Sequence, residues 1–345
     1  MPLFKKASRP PPPAPPAAQP QKGPPVDELM GDPAAHWFRD ELAQGRWQQL
    51  HDFLDGTRDW DDRNWYVTSL AEIKGRPDWL DEWVAARPGS PIPLLFRGTH
   101  STMWAWQARG SDRANMVAED AWAVFHARLV DADRDLARAA AMDGADPTPY
   151  ARGLWTAIGL SLGQPEIRRR FGEVTRRHRW HRGAHSSMIQ ALAAKWHGSH
   201  EEMFEFARSA SAQAPEGHTV HRVIPNAHLE KWLNLSTESP DGNARQAAYF
   251  SDEAVKNEIR RAADRSIRSP RYVAGRVTLD DRNIFAMCFS MMRDHDALLE
   301  QMRLIGPVIH PSGWSYLKDP SGAYERARSR ALQAAQGGTP AGRGT

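Results

Sequence analysis

The sequence predicts an all-α protein on three observations. Apolar residues recur at helical spacing, most clearly at Met188, Leu192 and Trp196, with Ile189 and Ala193 beside them. The gaps between such stretches hold residues that cap or stop helices, among them Asp32-Pro33, Asp146-Pro147, Gly198-Ser199 and Pro215. No run alternates apolar and polar residues with β-branched enrichment, so no sheet is expected.

Composition sets the bounds. The 345 residues are 41% hydrophobic and 25% charged, ordinary for a soluble chain with a sizeable core. A net charge of +3 is too diffuse to imply an acidic partner by itself. Cys288 stands alone, so no disulfide can form within the chain, which fits a reducing cytoplasm. No stretch of about 18 apolar residues exists to cross a membrane. The first residues carry lysines without an apolar core and do not read as a secretory signal. The 14 tryptophans are expected to act as large packing units.

Taken in order, residues 1–28 are rich in proline and are expected to form a disordered arm of polyproline II character. Residues 29–336 form the helical domain, and 337–345 a loose tail. Asp32 caps a helix with Pro33 at its first position, and Leu50, Phe53 and Leu54 mark the next. Trp60 to Ile73 is a helix capped by Asp61 or Asp62. Pro77 starts another, with Leu80 and Trp83 inward. After Pro88, Pro91 and Pro93 break the chain, helices are expected over Leu94–Gln107, Val117–Met142, Pro147 to about Gly163, and Pro165–His178.

His181 to Pro215 reads as two helices joined by a tight turn at His197-Gly198-Ser199. Gly198 takes the left-handed conformation there and Ser199 caps the second helix. Beyond it, Val220–Leu235 is helical with a break at Pro225, and Ala244–Ile267 is one or two helices. Leu279–Met292 is apolar on nearly every side and therefore buried. Ala297–Ile305 and Tyr324–Ala335 are the last helices.

Self-similarity is the most specific signal. Gly198–Pro215 (GSHEEMFEFARSASAQAP) has Gly198 at its turn, Ala207 and Ala210 at close-packing positions and Pro215 at its end. Ala132–Leu160 looks similar, and Gly45–Asp55, Gly75–Pro88 and Arg293–Pro307 repeat the turn-then-helix theme. The tetrapeptide DDRN occurs at Asp61–Asn64 and again at Asp280–Asn283, each before an apolar helix, and the two copies read as equivalent repeat starts. On these residues the chain resembles tetratricopeptide-like α-solenoids, as found in uncharacterised bacterial proteins. The resemblance implies an irregular stack of antiparallel helix pairs whose concave face binds a peptide or a protein partner.

The motifs that usually carry chemistry are missing. There is no GxSxG, no GxxxxGK[ST] and no GxGxxG after a strand. Cys288 reads as a small core residue. The central histidines, including His181, His185, His197 and His200, lack HExxH or a cysteine pair and are expected to pack or to face solvent rather than to bind metal. What stands out is a basic stripe of Arg168, Arg169, Arg170, Arg176, Arg177, Arg179 and Arg182, interleaved with Phe171 and Trp180. Such a stripe suits an acidic protein partner or, as the second reading, the phosphates and bases of a nucleic acid. The expectation is therefore a non-enzymatic, cytoplasmic adaptor that needs no cofactor. The alternatives are a nucleic-acid adaptor and a metal-dependent enzyme using the central histidines.

Overall fold

The computed structural model describes residues 23–110, 119–196 and 198–337. Most of the arm, His197 and the tail after residue 337 lie outside the described residues. Sixteen α-helices carry the described chain: α1 Pro33–Ala43, α2 Gln48–Gly56, α3 Trp60–Leu70, α4 Trp79–Ala86, α5 Ile92–Arg109, α6 Glu119–Met142, α7 Thr148–Gly159, α8 Gln164–Arg177, α9 Arg182–Ala191, α10 His200–Gln213, α11 Val223–Glu238, α12 Gly242–Ala248, α13 Glu253–Asp264, α14 Thr278–Met292, α15 His295–Ile305 and α16 Pro320–Gly337. The fold is all-α. Among the described residues the β-structure amounts to one isolated parallel bridge, Val26 to Ile309.

Local chemistry sets the helix starts. Asp32 accepts the Ala35 amide at 2.7 Å ahead of Pro33, as expected. Helix α3 departs from expectation. Its cap is Asp59, which accepts the Asp62 amide at 2.9 Å and leaves Asp61 free to point elsewhere. Pro225 breaks nothing, because it falls in the first turn of α11, where its missing amide hydrogen has no helical acceptor. Ser199 caps α10 through the Glu202 amide at 3.1 Å. Gly198 has no positive φ. It is needed for another reason: a Cβ there would run into the backbone of Leu192. Helix α9 accordingly ends at Ala191, and Ala194–Trp196 make a short 3-10 turn instead of continuing it.

Among the described residues two large apolar cores form, beside a small third one of Ala105, Phe125 and Leu129. The first gathers residues of α1 to α5 around Trp83, Tyr66 and Phe96, with Leu136 and Ala139 of α6. Trp47 and Trp83 stack at 5.5 Å, and the Trp83 indole donates to His51 Nδ1 at 3.1 Å. The second and larger core spans α7 to α16 around Phe285, Phe289 and Trp314. Helix α14 is buried on nearly all sides, and burial pushes the Cys288 thiol up. Helices α5 and α6 pack closely because Gly98 carries no side chain. A Cβ there would lie 2.9 Å from Leu136 Cγ.

The chain also closes on itself. Residues at the end of the expected arm are fastened to the far end of the sequence. The Asp27 amide donates to the Ile309 carbonyl at 2.8 Å, and the Ile309 amide to the Pro25 carbonyl at 3.0 Å. The Ser321 hydroxyl donates to the Pro24 carbonyl at 2.7 Å. Arg276 pairs with Asp32 and, at 3.3 Å, with Asp62.

Candidate functional site

A polar cavity of about 580 Å³ lies where the two cores meet. Helix α3 of the first core supplies Asp61, Asn64, Thr68 and Ser69. The second core supplies Arg152 and Trp155 of α7, Arg182, Ser186, Ser187 and Gln190 of α9, Asn226 and Glu230 of α11, and Asp280 of α14. Lys195, from the 3-10 turn after α9, Arg222, His310, Ser312, Ser315 and Tyr316 add further polar groups, and Trp65, Val277 and Ile284 supply apolar surface.

Both DDRN copies reach this cavity, and Arg182 joins them. Its backbone amide donates to Asp61 Oδ1 at 2.8 Å, across 121 residues of sequence. Its guanidinium reaches Asp281 Oδ1 at 2.8 Å and also bonds Asp280. Arg222 bonds Asp280 Oδ1 at 3.0 Å from the other side. The copies are not equivalent in detail. Arg63 turns away to a buried pair with Asp146 at 2.8 Å, whereas Arg282 donates to Gln301 Oε1 at 2.7 Å. Asn283 accepts the Trp314 indole N–H at 3.1 Å, whereas Asn64 faces the cavity.

Most charges in the wall are matched. Burial works against Asp280 and Asp281 alike. At Asp280 the charges of Arg182 and His310 prevail and hold the carboxyl well below its usual range. At Asp281 burial prevails, with Asp280 beside it, and the carboxyl is pushed up. Against the same burial, the His178 hydrogen bond, with the charge of Arg182, keeps the Asp61 carboxyl low. Glu230 accepts from Gln190 at 2.5 Å, Lys195 at 2.7 Å and Tyr316 at 3.2 Å.

Arg152 is the exception. It is 7% exposed, lines the cavity and has no ion-pair partner among the described residues. Its Nε is buried with no acceptor, and desolvation alone pulls its pKa down to about 10. Asn64 Oδ1, Thr68 Oγ1, Ser186 Oγ and Arg222 Nε, all of wall residues, are also buried without a hydrogen-bond partner. Unsatisfied buried polar atoms are uncommon, and five belong to this wall, while others, such as His100 Nε2 and Arg268 Nε, lie elsewhere.

The basic stripe is divided by the structure. Along α8, Arg169 pairs with Glu166 at 2.6 Å, Arg170 with Asp133 at 2.5 Å, and Arg176 and Arg177 with Glu173 at 2.7 and 2.5 Å. Hydrogen bonds from Arg169, against slight burial, bring Glu166 down to about 2. Arg168 lies 3.7 Å from Glu202, and Arg179 sits over the Trp180 ring at 4.9 Å. Arg182 leaves the stripe for the interior. The central histidines take separate structural roles. His181 Nδ1 accepts the Ala184 amide at 3.1 Å and caps α9, and His185 bonds the His181 carbonyl at 2.9 Å. His221 bonds Ser211 at 2.9 Å, and His228 bonds Tyr249 at 2.7 Å. Among the described residues no three His, Cys, Asp or Glu side chains converge as a metal site would require.

Sequence reasoning named Arg182 for its place in a stripe and Asp61 and Asp280 for their motif. It passed over Arg152, Lys195, Arg222 and Glu230, which share no motif and meet only in the folded chain. No protein family, no curated protein and no solved structure matches this chain, so the functional reading rests on the site itself.

Proposed function

We propose that the protein binds a small, hydrogen-bonding anion in the cavity between the two cores. The observation that carries this reading is Arg152, a buried guanidinium on the cavity wall with no carboxylate against it. Removing a cation from water without a partner is costly, and a carboxylate or phosphate group on a ligand would supply the missing charge. The cavity volume of about 580 Å³ suits a small metabolite-sized molecule. The hydroxyl and amide groups of Ser69, Ser187, Asn226 and Ser312 offer the orientation that such sites provide.

The all-helical frame would also suit a protein-binding scaffold of tetratricopeptide-like pairs, as the resemblance implies, with α9 and α10 as its clearest pair. Its proposed surface, the Arg168–Arg182 stripe, keeps most of its charge engaged with Glu166, Glu173 and Asp133. The same pairing weakens the nucleic-acid reading, which needs free cations for phosphates. The cavity therefore carries the proposal.

Thermal denaturation with inorganic phosphate and with citrate tests it. Millimolar amounts of at least one anion should raise the melting temperature of the natural protein and leave Arg152→Met unmoved. Without ligand, Arg152→Met should itself be more stable, by about 1–3 kcal/mol, since an apolar chain of similar length replaces an unpaired buried charge. An equal response in both proteins, or none in the natural one, would overturn the reading, as would marked destabilisation by Arg152→Met.

A further inference from the structure

A second cavity, of about 560 Å³, adjoins the first. The two share Thr68, Arg152 and Trp155 in their walls. Their chemistry differs sharply. The first is lined by charges, hydroxyls and amides as well as by Trp65, Val277 and Ile284. The second is faced by Met103 and Trp106 of α5 together with Trp155. Trp106 and Trp155 meet edge to face at 5.9 Å, and Trp106 is braced on its other sides by Phe125 at 5.0 Å and Trp196 at 5.2 Å. These rings are thus held in place by their neighbours and give the chamber a firm apolar wall. Its carboxylate, Glu72, stands at the outer side of the chamber, and partial burial, with Glu28 nearby, pushes its pKa up.

We infer that the ligand has two parts: an anionic group that meets Arg152 in the polar cavity, and a flat apolar group that lies against Trp106, Trp155 and Met103 in the adjoining chamber. This rests on the anion-binding reading above and extends it. Arg152 is nine-tenths buried, unpaired and common to both walls, so an anion bound to it stands at the threshold of the aromatic chamber. A ligand with a charged group alone would leave the chamber to water against three large apolar side chains, whereas an aryl group would remove that surface from water and stack on fixed indoles.

Calorimetric titration of the full chain with inorganic phosphate and with 2-naphthyl phosphate decides the matter. The aryl ester should bind at least tenfold more tightly. Met103→Trp, which fills the chamber, should abolish that advantage while leaving phosphate affinity as it was. Gln107→Trp, at the exposed rim of the same chamber, repeats the test should Met103→Trp fail to fold. Equal affinity for the two probes, or an advantage that survives a filled chamber, would overturn the two-part ligand and leave anion binding standing. Arg152→Met should weaken both probes. If it weakens neither, anion binding itself falls.

Discussion

At the residue scale, the buried imidazoles show how this interior handles charge. His185 is 4% exposed, boxed by Phe171 at 5.0 Å, Phe206 at 5.9 Å and Trp180 at 6.0 Å, and burial takes its pKa down to about 4. His221 is fully buried and is lowered to about 4 by the same cause. Both are held neutral in the fold but accept a proton near pH 6.5 once unfolded. Between about pH 6.5 and 4 the unfolded chain therefore binds more protons, so their contribution to stability is full above that window and falls as the pH drops through it. Unfolding free energies from urea titrations between pH 7.5 and 4.5 should decline, by an amount on the order of a few kcal/mol per buried histidine. The decline should be smaller in His185→Phe, which has no proton to gain. An unchanged slope in that variant would mean that other groups set the acid limit.

At the scale of elements, most of the helices were legible in the sequence because helix punctuation is local. An aspartate before a proline, or a serine before two glutamates, acts over one turn, and Asp32 and Ser199 cap as read. What depended on distant parts of the chain was not legible. Helix α3 starts one residue earlier than its aspartate pair suggests, so Asp59 caps it and Asp61, inside the first turn, meets the amide of Arg182. The sequence marks Gly198 as a left-handed helix stop, whereas its constraint is the Leu192 backbone across the turn and not its own φ. The two explanations differ in outcome. A left-handed glycine tolerates asparagine better than alanine, whereas a steric limit rejects both. Gly198→Ala and Gly198→Asn should each cost more than about 1 kcal/mol in chemical denaturation, with little between them. The site was half legible for the same reason. DDRN drew attention to Asp61 and Asp280 as repeat starts, yet nothing local marks Arg152 as the residue left without a partner.

At the scale of the molecule, the helices do not simply stack on their sequence neighbours. In a linear repeat array each unit touches the next. Here Arg182 ties α9 to both DDRN copies, Arg276 reaches Asp32 across 244 residues, and Ser321 reaches Pro24 across 297. The cavity exists because of that closure, since α3 provides one wall while α9, α11 and α14 provide the others. A polar space enclosed by two apolar cores has an orientation and an inside, which a surface stripe lacks.

The fastening of Pro24, Pro25 and Asp27 to Ile309 and Ser321 also has a consequence in time. On a ribosome adding about 5–20 residues per second, the segment around Asp27 waits roughly 15–60 s for its partners to be made. Helices of the first core can form meanwhile, but the start of the chain has nothing to hold it. Nascent chains arrested before Ile309 should be cut readily by protease within residues 23–32, and chains extended past α16 should resist. The first described residues of this protein are thus among the last to find their place.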